Sequence, residues 1–297
     1  MSETAIVKSR KLAFIGTPEL SVPFLNALCL AGHEILIVVT GEDRRRGRRE
    51  EPSPSPVKKA ANELDLPVIH DLEKLKDYEV DLAVVVAFGS FIPLVLLERI
   101  PMINVHFSLL PRWRGPAPIE RAILAGDTKS GVCVMEVGEE FDVGRVFAQQ
   151  EVAIYSSDTS DDLRNRLVES GCQLLVSTLS KDLDEPIEQK GEIVWAEKLT
   201  SEDRKLDWAK EAEELDRMIR VGGAWTTLEK QRFKIWKAEP NLEEMSVASG
   251  KLVGDLVSTG KGSLKLLEVQ SENRARQSFE TWKRGAHLKA NVGFGDE

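Results

Sequence analysis

The feature that most constrains the fold is a run at residues 80–88, in which only Asp81 is polar. A strand buried on both faces has this composition, and sheets covered on both faces are mostly parallel. Further apolar runs at residues 11–16, 34–40 and 102–107 are separated by stretches with helical patterns. The first of these stretches begins at Thr17-Pro18, with Thr17 as the candidate N-cap of a helix. Alternating strands and helices imply crossover connections and a parallel sheet. The sequence therefore predicts an α/β domain with a Rossmann-like, mostly parallel sheet.

The character of the chain changes after Pro186. Residues 208–220 predict a charged helix, and short strand-like runs separated by glycines follow from Trp225 onward. Short strands with glycine turns favour a small β-barrel, which we expect to be OB-like. We predict a first domain over residues 1–190, a linker over 191–207 and a smaller β-barrel domain over 208–297.

Composition narrows the class of protein. The chain has 297 residues, is 42% hydrophobic and carries a net charge of −9, so only local basic clusters could bind nucleic acid. It has neither an apolar signal core at the N-terminus nor a run of about 18 apolar residues, so we expect no membrane association. The cysteines are Cys29, Cys133 and Cys172, an odd number without a CxxC pair, which favours reduced thiols in a cytoplasmic protein. The four histidines lack metal-ligand spacing, so we expect no metal.

Asn104 and His106 end one of the apolar runs. Alternate residues of a strand share a face, so an amide and an imidazole point the same way just before a loop. An isolated histidine is more often a core residue than a catalytic one. Here Asp142, in a loop flanked by Gly138 and Gly144, could fix the imidazole tautomer and stabilise its cation. This combination favours catalysis, with the amide polarising a carbonyl and the imidazole moving a proton.

These residues carry a resemblance to a known family. Asn104-x-His106, Ser-Leu-Leu-Pro at residues 108–111 and Asp142 are similar to the formyltransferases that use 10-formyltetrahydrofolate. Other matching segments lie along nearly the whole chain, at residues 14–18, 54–58, 112–115, 122–127, 198–203, 223–226 and 266–270. The matches in the linker and C-terminal part resemble the branch of the family that acts on methionyl-initiator tRNA.

The resemblance implies a role for each matched residue. Asn104, His106 and Asp142 would be catalytic, and 10-formyltetrahydrofolate would be the co-substrate, with no metal. The folate would lie against the turn formed by Ser108, Leu109, Leu110 and Pro111. For the two leucines, a plain role in the core remains an alternative.

The acceptor is implied by a basic loop. Residues 44–49 contain five arginines, a charge run that by itself indicates a solvated face. The family resemblance favours tRNA binding instead, since Arg48 matches the tRNA-contacting arginine of the family. Several neutralised phosphates would make binding fall steeply with salt. The chain departs from the family at Glu50-Glu51, where lysines are usual, and in a shortened segment before Ala224. A tRNA-sized substrate suits a monomer.

Two other functions stay open at this point. A sister enzyme that formylates an amino sugar-nucleotide or glycinamide ribonucleotide would share Asn104, His106 and Asp142 without needing the arginine loop. A non-catalytic folate- or RNA-binding module could keep the fold, although the intact set of three residues argues against it.

Overall fold

The computed structural model describes residues 8–45, 51–243, 245–287 and 292–295. These fall into two compact units. The described parts of residues 1–118, 129–153 and 164–196 form the first unit, and those of 119–128, 154–163 and 197–297 form the second. The domain bounds given above stay a prediction, since residues 191–196 of the expected linker cluster with the first unit and residues 197–207 with the second.

The described part of the first unit contains nine strands. They are β1 (Lys11–Gly16), β2 (Glu34–Val39), β3 (Val68–Ile69), β4 (Leu82–Val86), β5 (Met102–His106), β6 (Arg112–Arg114), β7 (Lys129–Glu136), β8 (Val146–Ala153) and β9 (Val194–Trp195). Seven of them form one sheet in the order β3-β2-β1-β4-β5-β7-β8, while β6 pairs with β9 in parallel. The first five strands of the sheet are parallel, and β7 and β8 form an antiparallel hairpin at its edge.

The expected mostly parallel sheet is therefore confirmed. Its central strands are apolar because both faces are covered: Leu12 and Ala13 point to opposite sides of β1, and each is fully buried. The order reverses between β1 and β4, and such a reversal opens a crevice at the carboxyl ends of the strands. β5, which carries Asn104 and His106, lies beside β4 at this edge.

Seven α-helices connect these strands and those of the second unit in the described part of the chain. They are α1 (Val22–Leu30), α2 (Pro56–Glu63), α3 (Leu94–Leu97), α4 (Pro118–Ala125), α5 (Ser160–Leu179), α6 (Ala212–Val221) and α7 (Phe279–Gly285). The sequence suggests Thr17 as the cap of α1, and this is wrong. A 3-10 turn at Glu19–Ser21 precedes α1, and the Thr17 hydroxyl instead accepts a hydrogen bond from the amide of Gly41 at 3.2 Å.

The second unit is a small antiparallel β-structure, as expected. Its strands are β10 (Trp225–Leu228), β11 (Gln231–Asn241), β12 (Leu252–Val253), β13 (Leu256–Ser258), β14 (Ser263–Ser271) and β15 (Gln277–Ser278). They follow the order β10-β11-β14-β13-β12, and β15 pairs with β14. Residues 292–295 lie between the two ends of this order: Phe294 bridges Leu228, and Gly293 bridges Lys251. This final segment closes the sheet into a small barrel.

The core of the barrel is built from the inward side chains of β11 and β14 and the apolar face of α6. Phe233, Ile235, Leu264 and Val269 are at most 1% exposed, and α6 adds Leu215 to the same cluster. Within the part of the chain that the structure describes, no helix is both long and apolar enough to cross a membrane.

Candidate active site

The side chains of Asn104, His106 and Asp142 meet at the carboxyl end of β5. Nδ1 of His106 lies 3.4 Å from Oδ1 of Asp142, and Nδ2 of Asn104 lies 3.5 Å from the same oxygen. The side chains of His106 and Asp142 are only 7% and 12% exposed. The structure therefore brings together the three residues that the sequence singles out, in a site largely shielded from water.

The second ring nitrogen of His106 fixes the tautomer. Its Nε2 lies 2.9 Å from the backbone carbonyl of Trp113. A carbonyl can only accept, so the neutral ring carries its hydrogen on Nε2 and leaves Nδ1 bare. Nδ1, which faces Asp142, is thus the nitrogen that can take up or release a proton.

Asp142 is held by contacts on both of its sides. Its Oδ2 accepts a hydrogen bond of 2.8 Å from the amide of Gly115, and its backbone has a left-handed φ of 57°. The following Gly144 is crowded, because a Cβ there would overlap the carbonyl of Glu136. The sequence marks Gly144 as a flank of the Asp142 loop, and the structure shows that the close approach of two backbones requires a glycine there.

The turn at residues 108–111 is compact and partly buried. The hydroxyl of Ser108, which is 0% exposed, donates to the carbonyl of Arg112 at 2.7 Å and so closes the turn. Leu110 belongs to a buried cluster with Cys133, and the Leu110–Pro111 peptide bond is cis. Leu109 is half-buried and packs against Gly131 of β7. Ser108 and Leu110 thus shape the turn from inside, while their contact with folate stays a prediction.

Cys133 lies directly beneath this turn. Its thiol donates to the carbonyl of Ser108 at 3.1 Å, and burial raises the pKa of the Cys133 thiol to about 11. A thiol with so high a pKa stays protonated at neutral pH and is a poor nucleophile. Cys133 is therefore part of the packing under the site.

The rim of the site is apolar and exposed. Phe91, after β4, and Phe141, beside Asp142, are 57% and 56% exposed. Their ring centroids lie 6.2 Å apart in an edge-to-face arrangement. The chain between β4 and Phe91 turns sharply, with positive φ at Ala87 and Gly89. An aromatic rim of this kind can cover the apolar part of a bound ligand.

The sequence gives no indication of three groups that organise the site. The Trp113 carbonyl and the Gly115 amide are backbone groups, whose positions no residue type reveals. Gln189 donates to the carbonyls of Asp142 and Gly144 from a position far along the chain. Only a long-range contact map could have located it.

Arg48 lies outside the described residues. The base of its loop is described: Arg44 and Ser53 form an antiparallel bridge, and Nζ of Lys58 lies 2.8 Å from Oδ1 of Asp43. Among the residues that the structure describes, no group of three His, Cys, Asp or Glu side chains could hold a metal ion.

Comparison with known families covers most of the chain. Residues 10–179 match the Formyl transferase family, and residues 198–287 match the Formyl transferase, C-terminal domain. A methionyl-tRNA formyltransferase of Methylococcus capsulatus is 37% identical over 96% of this chain and 99% of its own length. A methionyl-tRNA formyltransferase of Paracoccus denitrificans is 39% identical over 94% of this chain and 98% of its own length.

Two solved structures share the fold. HypX from Aquifex aeolicus, in complex with tetrahydrofolic acid, aligns with a TM-score of 0.67 and 16% identity over 96% of this chain and 51% of its own. An N-formyltransferase from Helicobacter canadensis was solved in complex with folinic acid and dTDP-3-aminofucose. It aligns with a TM-score of 0.67 and 17% identity over 88% of this chain and 99% of its own. At these identities the alignments establish the architecture alone.

Proposed function

The chain belongs to the formyl transferase family, and from this membership we propose that it transfers a formyl group from 10-formyltetrahydrofolate to the α-amino group of methionyl-initiator tRNA. The product would serve translation initiation. One observation carries the choice of acceptor: the identity to methionyl-tRNA formyltransferases spans nearly both full lengths. It therefore includes the second unit as well as the catalytic one.

The reaction is an acyl transfer. The amine attacks the formyl carbon, the carbonyl oxygen gains negative charge, and the bond from carbon to N10 then breaks. We assign two donors to that oxygen, both at the end of β5: the amide of Asn104 and, when its Nδ1 is protonated, His106. One well-placed donor of this kind contributes roughly 3 kcal/mol to transition-state stability.

The attacking amine must lose one proton, and the leaving N10 must gain one. Nδ1 of His106 and the carboxylate of Asp142 are 3.4 Å apart, so the pair can accept the first proton and return one to N10. General acid–base catalysis of this type gives about 10² to 10⁴ in rate. The Trp113 carbonyl keeps the ring oriented while the protonation of Nδ1 changes.

The formyl donor is assigned to the turn at residues 108–111 and the neighbouring end of β4. Two relatives in fold were solved with tetrahydrofolic acid and with folinic acid, which supports a folate as the co-substrate of this chain. Leu109 is the half-buried member of the turn, and it is the side chain we expect to touch the ligand. Phe91 and Phe141 would cover an apolar part of the folate.

The acceptor is assigned to the arginine loop and the second unit. Arg48 would contact tRNA phosphates together with the other arginines of residues 44–49. Each phosphate neutralised steepens the salt dependence of binding, so Arg48→Ala should raise KM for the tRNA and lower the slope of log affinity against log salt by about one. An unchanged kcat/KM for the tRNA at moderate salt would contradict this role.

The central experiment is a competition between acceptors. Labelled 10-formyltetrahydrofolate is offered with charged initiator tRNA, a dTDP-amino sugar and glycinamide ribonucleotide. We expect label in the methionyl-tRNA alone. Transfer only to the sugar or the ribonucleotide would refute the proposed acceptor, and transfer to none would refute catalysis.

The roles at the site are tested one at a time. Asn104→Ala and His106→Ala should each lower kcat by about 10² or more while the far-UV circular dichroism stays unchanged. A fully active His106→Ala variant would overturn the mechanism. We also propose that the protein acts as a cytoplasmic monomer, which sedimentation at micromolar concentration and cell fractionation would test.

A further inference from the structure

Gln189 lies in the first unit, between α5 and β9, and no motif draws attention to it. We propose that Gln189 is a positioning residue, which sets the location of the Asp142 carboxylate for formyl transfer. The inference rests on the proposed function of the site formed by Asn104, His106 and Asp142. It concerns a residue that acts through Asp142 without contacting the substrate.

The Asp142 loop needs support from outside itself. Its tip, residues 139–141, is exposed. Asp142 holds a left-handed backbone, which is uncommon outside glycine and persists when neighbouring groups fix it. The carboxylate accepts from the Gly115 amide and is approached by Asn104, but contacts of the carboxylate do not fix the two backbone carbonyls of the loop.

The side-chain amide of Gln189 bonds both of those carbonyls. Its Nε2 donates to the carbonyl of Asp142 at 2.9 Å and to that of Gly144 at 2.8 Å. Its Oε1 accepts from Nε and Nη2 of Arg114 at 3.0 and 2.7 Å. A flipped amide would set oxygen against two acceptors and nitrogen against a donor-only guanidinium, so the orientation is unambiguous.

Arg114 connects this amide to both reacting side chains. The residue before it, Trp113, accepts from Nε2 of His106, and the residue after it, Gly115, donates to Asp142. Gln189 therefore links the backbone of the Asp142 loop, through hydrogen bonds, to β6 and Gly115, which already contact the imidazole and the carboxylate. The distance between Asp142 and His106 depends on these hydrogen bonds.

The amide is also fully occupied. Both hydrogens of Nε2 and both lone pairs of Oε1 are used within this network. Gln189 thus holds the loop and is not itself arranged to bind a ligand. A displacement of about 1 Å at a reacting group can cost about 10²-fold in rate, so loss of these hydrogen bonds should appear in kcat.

The test uses Gln189→Met, which keeps the length of the side chain and removes its donors and acceptor. We expect kcat for formyl transfer to fall about 10- to 100-fold, equivalent to about 1.4 to 2.8 kcal/mol. KM for the folate and for the acceptor should each change by less than about threefold, because no substrate contact is removed. Gln150→Met, at an exposed glutamine of β8, is the matched control and should keep wild-type kcat.

A second variant separates the loss of the hydrogen bonds from a general loss of folding. Gln189→Glu keeps the size and the pairing with Arg114, but it sets carboxylate oxygen against the two loop carbonyls. We expect a loss of kcat at least as large as for Gln189→Met. Adding Arg114→Met to Gln189→Met should lower kcat no further, because both residues act through one contact.

Three results would overturn the proposal. The first is a kcat within about twofold of wild type in either folded Gln189 variant, and the second is a change in KM with kcat unchanged. The third is a double variant whose loss of kcat equals the product of the losses in the two single variants. The assay is run with whichever acceptor the wild-type protein formylates. A wild type that formylates only an amino sugar would therefore refute the tRNA acceptor and leave the test of Gln189 intact.

Discussion

Asp142→Asn exchanges one carboxylate oxygen for an amide nitrogen with almost no change of shape. The Gly115 amide needs an acceptor 2.8 Å away, so the new amide oxygen takes the place of Oδ2. The new nitrogen then faces Nδ1 of His106 and replaces the oxygen that Nδ2 of Asn104 approaches at 3.5 Å. Since the Trp113 carbonyl keeps a hydrogen on Nε2, Nδ1 is bare and accepts a hydrogen bond from this nitrogen. In the variant, Nδ1 therefore accepts a hydrogen bond and no longer faces a carboxylate.

The size of the effect follows from the geometry. A carboxylate and a protonated ring 3.4 Å apart attract each other by about 5 kcal/mol at an effective dielectric constant of 20. Both side chains are nearly buried, so solvent only weakly screens the attraction between them. At about 1.4 kcal/mol per factor of ten, loss of this whole attraction would lower the rate about 10³- to 10⁴-fold. In the proposed mechanism Asn104 would still donate to the oxyanion, so we expect kcat to fall about 10²- to 10³-fold.

The assay is single-turnover transfer of labelled formyl with saturating folate and acceptor. The melting temperature should stay within about 3 °C of wild type, because the bond to Gly115 persists. Asp77→Asn, which makes the same charge change at an exposed site, should be fully active. A kcat for Asp142→Asn within about tenfold of wild type would refute the electrostatic role given to the carboxylate.

Three further predictions concern the folded state. Gly144→Ala adds a Cβ that overlaps the Glu136 carbonyl, so it should cost about 1 to 3 kcal/mol in urea unfolding and lower kcat as the Asp142 loop shifts. Burial lowers the pKa of His33 from its ordinary 6.5, so the unfolded chain binds the proton more readily. Its stabilising effect is present above pH 6.5 and is lost as the pH falls below it, and His33→Gln should reduce the drop in melting temperature between about pH 7.5 and 5.5. Arg220→Met leaves the carboxylate of Asp216, 2.7 Å from Nε of Arg220, buried without its cation, and should destabilise the protein by about 3 kcal/mol.

Each of these has a result that would contradict it. A Gly144→Ala variant with wild-type stability and kcat would mean that the two backbones separate at no cost. An equal acid response in His33→Gln and wild type would show that other groups govern stability at low pH. For the ion pair, the control is Asp216→Leu with Arg220→Met, which should recover stability. If the single Arg220→Met variant is as stable as wild type, the ion pair does not stabilise the folded protein.

Much of the first unit could be predicted because its strands lie in a doubly covered sheet. Burial on both faces makes such strands continuous apolar runs, and Lys11–Gly16 is found with the predicted bounds. The predicted cap of α1 differs from the structure for a specific reason. Thr17 has the right residue type for a cap, but a 3-10 turn at Glu19–Ser21 separates it from α1, and its hydroxyl accepts from the Gly41 amide.

The candidate site could be predicted only where residue type determines the chemistry, and the roles of its residues stay predictions. Asn104, His106 and Asp142 carry distinctive side chains at recognisable positions. The carbonyl of Trp113 and the amide of Gly115 do not, because every residue has the same backbone groups. Gln189 is an ordinary polar residue in sequence, and its four hydrogen bonds arise only when distant segments meet.

The closure of the small barrel has a consequence for biosynthesis. Phe294 and Gly295 bond to Gly250 and Thr227, so the ends of the strand order stay unpaired until residue 295 has left the ribosome. Unpaired strand edges are templates for association with other chains. The second unit must therefore complete its fold after this segment is synthesised, while the first unit, whose strands end at residue 195, can fold during translation.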